Sequence, residues 1–318
     1  MLQQRTLGSS GIQASAIGLG CMSLSDWAYG SFPEADAIRL VQHALDQGIT
    51  LLDTADIYGP FTSEEIVGKA IKGRRDQVVL ATKGGLVVTD RTTRAMRNDG
   101  SPAHLQAACD ASLKRLGVDV IDLYQLHRPD PQVPIEETVG AMADLITAGK
   151  VRAIGLSECD VPTLERAIKV HPIATLQSEL SLWTRDALAE ILPWCQAHGV
   201  AFLPFAPLGR GFLTGRYRSS QQFDATDFRS RLPRFQQEAL AQNLAIVDHV
   251  EAIARRHHAA PGQIALAWVL ALGEQIIPIP GTKHSEYVDE NLGALAISLS
   301  EADMQELNQL PSPAGTRY

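Results

Sequence analysis

Ile49-Thr50-Leu51-Leu52-Asp53-Thr54-Ala55-Asp56-Ile57-Tyr58-Gly59-Pro60 joins a short apolar run to a polar loop. The apolar part suits a strand buried on both faces, and Gly59-Pro60 stops the loop. Asp53 ends the strand and Tyr58 lies on the loop, so in a parallel-stranded fold both would point to the mouth at the C-terminal strand ends. Taken alone, Asp53 reads more readily as a helix cap and Tyr58 as a surface filler. The rest of the chain separates these readings.

Upstream, Arg5 to Gly8 and Gly11 to Ser15 flank a Ser-Ser-Gly turn signal and predict a small hairpin. Ala16 to Gly20 is then a first core strand. Downstream, apolar strand candidates recur at 78–82, 121–126, 151–156, 174–177, 200–205 and 276–279, which with 16–20 and 49–52 makes eight. Amphipathic helical patterns alternate with them: 34–47, 64–71, 102–116, 135–148, 161–170, 185–198, 233–258 and 261–272. Eight such units fit a closed α/β barrel better than an open doubly wound sheet of about six strands. The open sheet also wants Gly-x-Gly-x-x-Gly after its first strand, and here Gly18-Leu19-Gly20 runs into Cys21-Met22-Ser23. A long loop from Arg210 to about Arg234 reads as a lid at the barrel mouth.

Composition narrows the partners. With 318 residues, a net charge of −8 and no Lys/Arg block, the chain offers no surface suited to nucleic acid. A small molecule is the expected partner. Cys21, Cys109, Cys159 and Cys195 stand far apart, with neither Cys-x-x-Cys nor zinc-like spacing, which implies reduced thiols and no metal. The start of the chain lacks a secretory pattern and no apolar run approaches the ~20 residues needed to span a bilayer. No linker composition divides residues 1–318, so a single cytoplasmic domain with no membrane association is expected, its oligomeric state open.

At the barrel mouth, three successive strands each deliver ionisable groups: Asp53 and Tyr58 after the second, Lys83 at the end of the third, His127 at the end of the fourth. Each has an ordinary surface or capping explanation. All of those explanations would have to coincide at three adjacent strand ends.

At these positions the chain resembles the aldo-keto reductase superfamily, in its bacterial-style branch. The likeness runs from Leu7-Gly8 through Glu290-Asn291. It rests on Asp53-Thr54-Ala55 with Tyr58-Gly59, Thr82-Lys83-Gly84, Leu126-His127, Gly149 to Ser157, and Pro207 to Gly211. The resemblance implies a (β/α)8 TIM barrel with an N-terminal β-hairpin and a C-terminal extra helix or loop, binding NADPH in extended form. It assigns Asp53, Tyr58, Lys83 and His127 as a catalytic tetrad. It also implies Gly20, Cys21 and Met22 against the nicotinamide ribose beside Asp53, Ser157 and Gln177 on the carboxamide, and Phe205 stacked on the ring. Ala206, Pro207, Leu208, Gly209 and Arg210 would flank the pyrophosphate. Gly281, Thr282 and Lys283 would meet the 2′-phosphate, with Tyr287, Glu290 and Asn291 at the adenosine end. Three positions depart from the family pattern: Glu158 where Asn is common, Leu180 for a frequent Tyr, and His284 where a second basic residue often follows Lys283.

The chemistry of the tetrad follows from side-chain properties. Hydride addition to a carbonyl leaves charge on oxygen, so a proton donor is needed there. A phenol with an ordinary pKa of about 10 is a weak acid, and an adjacent ammonium favours its phenolate. Lys83 would supply that charge, Asp53 would hold Lys83 ionised, and a neutral His127 would orient the carbonyl. The expected activity is NADPH-dependent reduction of aldehydes or ketones, with Trp27, Tyr29, Phe61, Trp183 and Phe228 giving a partly aromatic pocket. Two other readings use the same residues: a cofactor-holding regulatory subunit resembling potassium-channel β-subunits, and a barrel lyase or isomerase in which Lys83 forms a Schiff base.

Overall fold

Side chains along a strand alternate between its two faces, so a barrel strand needs apolar residues at both parities with a change of chemistry only at the mouth. The chain does this in a computed structural model that describes residues 2–219, 223 and 227–318. A hairpin comes first, β1 (Gln4–Thr6) with β2 (Gln13–Ser15), in antiparallel register Arg5↔Ala14. Seven parallel strands then neighbour one another in chain order: β3 (Leu19–Gly20), β4 (Leu51–Asp53), β5 (Val79–Gly84), β8 (Ile121–Leu126), β9 (Val151–Ser157), β10 (Thr175–Glu179) and β11 (Ala201–Phe205).

Residues 276–280 close the ring. Ile277 and Ile279 donate backbone N–H to Phe202 and Pro204 on one side at 2.9 and 3.1 Å, and Pro278 and Pro280 accept from Gly18 and Gly20 on the other at 2.9 and 3.1 Å. The two prolines have no N–H to return toward β3, so this eighth segment makes only half a ladder on that side. The first expected strand accordingly shortens to Leu19–Gly20, with a bend at Ala16 and Ile17 before it.

Inward positions in the lower barrel are apolar: Leu51, Val79, Ala81, Leu123, Ala153, Leu203, Ile277 and Ile279 form one cluster. Leu7, Ile12 and Ala14 of the hairpin region join it and plug the N-terminal end. The polar strand ends therefore gather at the C-terminal end, where parallel barrels place their sites. The outward parity (Leu52, Leu80, Tyr124, Ile154, Leu156, Leu176, Phe202) belongs instead to the larger core beneath the helices.

Ten α-helices lie among the described residues. They are α1 (Glu34–Asp46), α2 (Thr62–Ala70), α3 (Pro102–Leu116), α4 (Ile135–Thr147), α5 (Val161–Ala167), α6 (Ile191–His198), α7 (Gln237–Arg256), α8 (Pro261–Ala271), α9 (Ser285–Gly293) and α10 (Glu301–Asn308). Their ends follow local chemistry: Ser101 caps α3 ahead of Pro102, and left-handed Gly117 terminates it. Three expected helices are clearly shorter than their patterns, the 161–170 one ending at Ala167. The 185–198 pattern splits because Pro193 has no N–H and must occupy the first turn, so α6 begins at Ile191. The 233–258 pattern opens as a 3-10 turn at Pro233–Phe235 before α7. The α10 segment is the extra C-terminal helix.

One element has no counterpart in the sequence expectations. After β5 the chain forms a second hairpin, β6 (Leu86–Asp90) with β7 (Ala95–Asn98), irregular in register near its tip. Its Leu86 and Val88 pack with Ala55, Ile57 and Tyr58, so it walls one side of the mouth. The lid stretch is described only in part, since 220–222 and 224–226 lie outside the described residues. What is described packs down: Phe212 and Leu213 are buried, and Phe228 N–H donates to Ala28 O at 3.0 Å.

Gly20 shows how tightly strand one meets segment eight. A Cβ there would stand 2.6 Å from the backbone oxygen of Ile279. Gly20→Ala is therefore expected to lower stability by about 1–3 kcal/mol, seen as an earlier urea midpoint; an unchanged midpoint would mean that the strands part freely.

Candidate active site

The inward parity that is apolar below turns polar at the top of five strands, with Asp53 on β4, Lys83 on β5, Gln125 on β8, Ser157 on β9, and Gln177 and Glu179 on β10, while β11 ends on the aromatic Phe205. Lys83 is level with Gln125 in the sheet register, and Gln177 with Ser157. A one-residue slip on any strand would bury these groups under the helices.

Lys83 is wholly buried and its Nζ donates to Asp53 Oδ1 at 2.5 Å, to the Thr54 carbonyl at 2.9 Å and to the Tyr58 hydroxyl at 3.2 Å. Asp53 Oδ2 accepts from Gln125 Nε2 at 3.0 Å and Gln177 Nε2 at 2.8 Å. Burial alone pulls the Lys83 pKa down, but the Asp53 carboxylate and Tyr58 outweigh it and the value is raised, so the ammonium is secure. Burial raises Tyr58, and Lys83 pulls it back only in part. The net shift is thus opposite to the one inferred from the ammonium alone, because desolvation of the phenolate is the larger effect. Tyr58 holds its proton.

The His127 ring lies edge-on to Tyr58 with centroids 5.7 Å apart. Its pKa falls well below the ordinary value, first from burial and then from Lys83 and Arg128, so the imidazole is neutral. Buried Nδ1 has no hydrogen-bond partner. A neutral imidazole with an orphaned nitrogen beside a protonated phenol is arranged to meet a polar ligand atom.

The other expected residues surround this centre unevenly. Gly20 and Gly281 bring the two closing strands together, Cys21 is buried beneath them and Met22 is exposed. Ala206, Arg210 and Glu158 adopt left-handed backbone (φ 47°, 57° and 55°), a strained conformation for non-glycine residues at the strand ends. Pro207, Leu208 and Gly209 form the turn between Ala206 and Arg210, with Leu208 packed on the core. Ser157 Oγ accepts from Arg128 at 3.0 Å. Thr282 accepts from Ser23 through its carbonyl at 2.8 Å. Tyr287, Glu290 and Asn291 share one face of α9, where Arg216 lies 3.9 Å from the Tyr287 ring centre and pairs with Glu290 at 2.7 Å.

Two cations expected to be offered to phosphate are engaged elsewhere. Arg210 forks onto Glu179 at 3.0 and 2.7 Å, a buried pair. Lys283 Nζ donates to the carbonyls of Tyr29 and Gly30, both at 2.7 Å, and of Ser31 at 3.3 Å. Trp183, expected in the pocket, and Leu180, which replaces a frequent Tyr, both lie away from the mouth. Trp183 is buried and stacked on Phe212 at 4.2 Å, and Leu180 has outward parity and sits in the core, so neither lines the mouth.

Gln125, Glu179, Arg128 and Arg317 were missed by sequence reasoning. The first two were within its reach: each is two residues from an expected inward residue, His127 or Gln177, and so shares its face. Arg317 carries no such signal, because its contacts with Glu179 (2.6 Å) and Glu158 (2.5 Å) span well over a hundred residues. Among the described residues no group of His, Cys, Asp and Glu could hold a metal, and no helix is long and apolar enough to cross a membrane.

The chain is thus an eight-unit parallel barrel with acid, phenol, amine and imidazole converging at one mouth. The chain belongs to the aldo/keto reductase family, whose model matches residues 16–311. It is 43% identical over 321 aligned residues to a protein named probable aldo-keto reductase 1 from Glycine max, covering all of this chain and 92% of that one. The glycerol dehydrogenase of Gluconobacter oxydans shares the fold at a TM-score of 0.86 with 32% identity, covering 96% of this chain and 93% of that chain. An aldo/keto reductase from Klebsiella pneumoniae, crystallised with NADP and acetate, gives 0.75 and 27%, covering 98% and 97%.

Proposed function

We propose that this protein reduces aldehydes and ketones to alcohols with NADPH, Tyr58 being the proton donor. The observation that carries the reading is the buried Lys83 ammonium, 2.5 Å from Asp53 and 3.2 Å from the Tyr58 hydroxyl, facing a neutral His127. When bound, the dinucleotide supplies the hydride. Tyr58 and His127 bind the carbonyl oxygen and polarise it. As negative charge develops there, Tyr58 releases its proton and Lys83 stabilises the phenolate left behind. In the reverse direction the same phenolate takes the alcohol proton, which suits a fold shared with a glycerol dehydrogenase.

The residues present fit a dinucleotide. The glycines at 20 and 281 keep the strand-one edge free of side chains, and Phe205 offers a partly buried ring at the end of β11, level with Glu179. Lys283 precedes the N-terminus of α9, where helix polarity favours a phosphate. The Klebsiella complex supports NADP as the form used. Four free, buried cysteines fit a reducing cytosol.

The test is titration with NADPH and NADH, followed by consumption of NADPH with a panel of aldehydes and ketones. Turnover of at least one carbonyl is expected; binding without any turnover would favour the regulatory reading. Lys283→Met is expected to weaken NADPH by about tenfold or more, since losing a charged phosphate contact costs roughly 1.5–3 kcal/mol. NADH lacks that phosphate, so its Kd should barely move. Equal weakening of both would reduce Lys283 to a tie for the Tyr29–Ser31 loop.

A further inference from the structure

A charged quartet stands beside the ring that the proposed function gives to nicotinamide. Arg317 donates through Nε to Glu179 Oε2 at 2.6 Å and through Nη2 to Glu158 Oε2 at 2.5 Å, while Arg210 forks onto Glu179. The Arg317 guanidinium carbon is 5.4 Å from the Phe205 ring centre, and that of Arg128 is 6.0 Å. The segment carrying Arg317 is tied along its approach: Arg185 holds the carbonyls of Asn308 and Leu310, Asn243 brackets Ala314 at 2.7 and 3.1 Å, and Arg234 reaches Gly315 O at 3.3 Å. A terminal stretch held at so many points is placed, where an untethered one would fray.

The charges around Phe205 do not cancel. Arg128, Arg210 and Arg317 face Glu158 and Glu179, and Arg128 makes no ion pair with a carboxylate among the described residues. An oxidised nicotinamide ring carries a unit positive charge that the reduced ring lacks. A ring stacked on Phe205 would feel two guanidiniums at close range in a partly desolvated site.

We propose that Arg317 is a positioning residue that fixes Glu158 and sets the electrostatic balance at Phe205, so that the site discriminates against NADP+ in favour of NADPH. The inference rests on the reading that NADPH is the cofactor and docks its ring on Phe205. Arg317 acts through one unit of charge: with it the cluster keeps its positive excess, and without it Glu158 and Glu179 would balance Arg128 and Arg210. That excess favours the neutral, reduced ring, which is the form a reductase must collect from a mixed pool.

The test is Kd for NADPH and for NADP+ by fluorescence titration, in wild type and three variants of the full chain, with turnover not required. Arg317→Gln is expected to lower the ratio Kd(NADP+)/Kd(NADPH) by about tenfold, the scale of one unit charge at this range in a partly screened site. Arg317→Lys keeps the charge and should keep most of the ratio. Glu158→Gln removes the opposing charge and should raise it. If Arg317→Gln weakens both forms by one common factor, the residue is only a structural tie and the proposal falls. If Glu158→Gln moves the ratio the same way as Arg317→Gln, the electrostatic account is overturned. A wild type that binds neither form removes the reductase reading itself, an outcome separate from an altered ratio.

Discussion

Tyr58→Phe is expected to lower carbonyl reduction by about three orders of magnitude while leaving NADPH binding nearly intact. The size follows from removing the general acid, worth about 10²–10⁴-fold. The selectivity follows from the geometry. Among the described residues the Tyr58 hydroxyl has one hydrogen bond to the protein, from Lys83 Nζ at 3.2 Å, and Lys83 keeps Asp53 and the Thr54 carbonyl when it is gone. The ring remains packed beside Ala55, Ile57 and Leu86. Stability should therefore change by about 1 kcal/mol or less. Stopped-flow hydride transfer and cofactor titration on one preparation separate the two effects. Activity within tenfold of wild type would move proton donation to His127 or to water.

How the donor is poised differs from the simplest expectation. Desolvation keeps Tyr58 protonated in the free protein. The ammonium then acts chiefly when negative charge reaches the phenol oxygen, as the proton leaves. That is the condition for catalysis: an interaction stronger in the transition state than in the resting site.

The convergence of Asp53, Lys83 and His127 was legible because each ends an apolar run, where strand periodicity names the inward face, and Tyr58 follows on the loop after β4. The barrel was legible for the same reason, and even the strand most damaged by proline, 276–280, announced itself through its isoleucines. The β6–β7 hairpin was not. Val87-Val88-Thr89 is too short to stand out, and its pairing with Ala95 to Asn98 depends on an exposed turn with no Gly-type signal. Helix 185–198 was overlong because apolar spacing does not register what Pro193 forbids. The engagement of Arg210 by Glu179, and of Lys283 by backbone carbonyls, is tertiary: nothing in a guanidinium or ammonium at a loop position states whether it is free or taken. Arg317 illustrates the limit best, since its role exists only once distant strand ends have been brought to it.

Lys83→Met is expected to destabilise the fold by about 3–5 kcal/mol, the cost of leaving a buried carboxylate without its counter-ion. Asp53 would keep only the Gln125 and Gln177 amides on Oδ2, with Oδ1 facing a thioether. Because neither partner is exposed, solvent cannot make up the loss. Asp53→Leu combined with Lys83→Met removes both charges and should recover much of the stability, so the two changes would be strongly non-additive in urea denaturation. The pH dependence has a definite sign. The Lys83 pKa is raised on folding, so the stabilisation it gives is complete below the unfolded value near ~10.4 and is lost as pH rises through the folded value. Wild type should then lose stability in strong alkali more steeply than the double variant, while the two run parallel near neutrality. If the single variant costs under about 1 kcal/mol and the substitutions add, the pair is solvated in solution, and the ammonium could not hold the phenolate that the proposed chemistry requires.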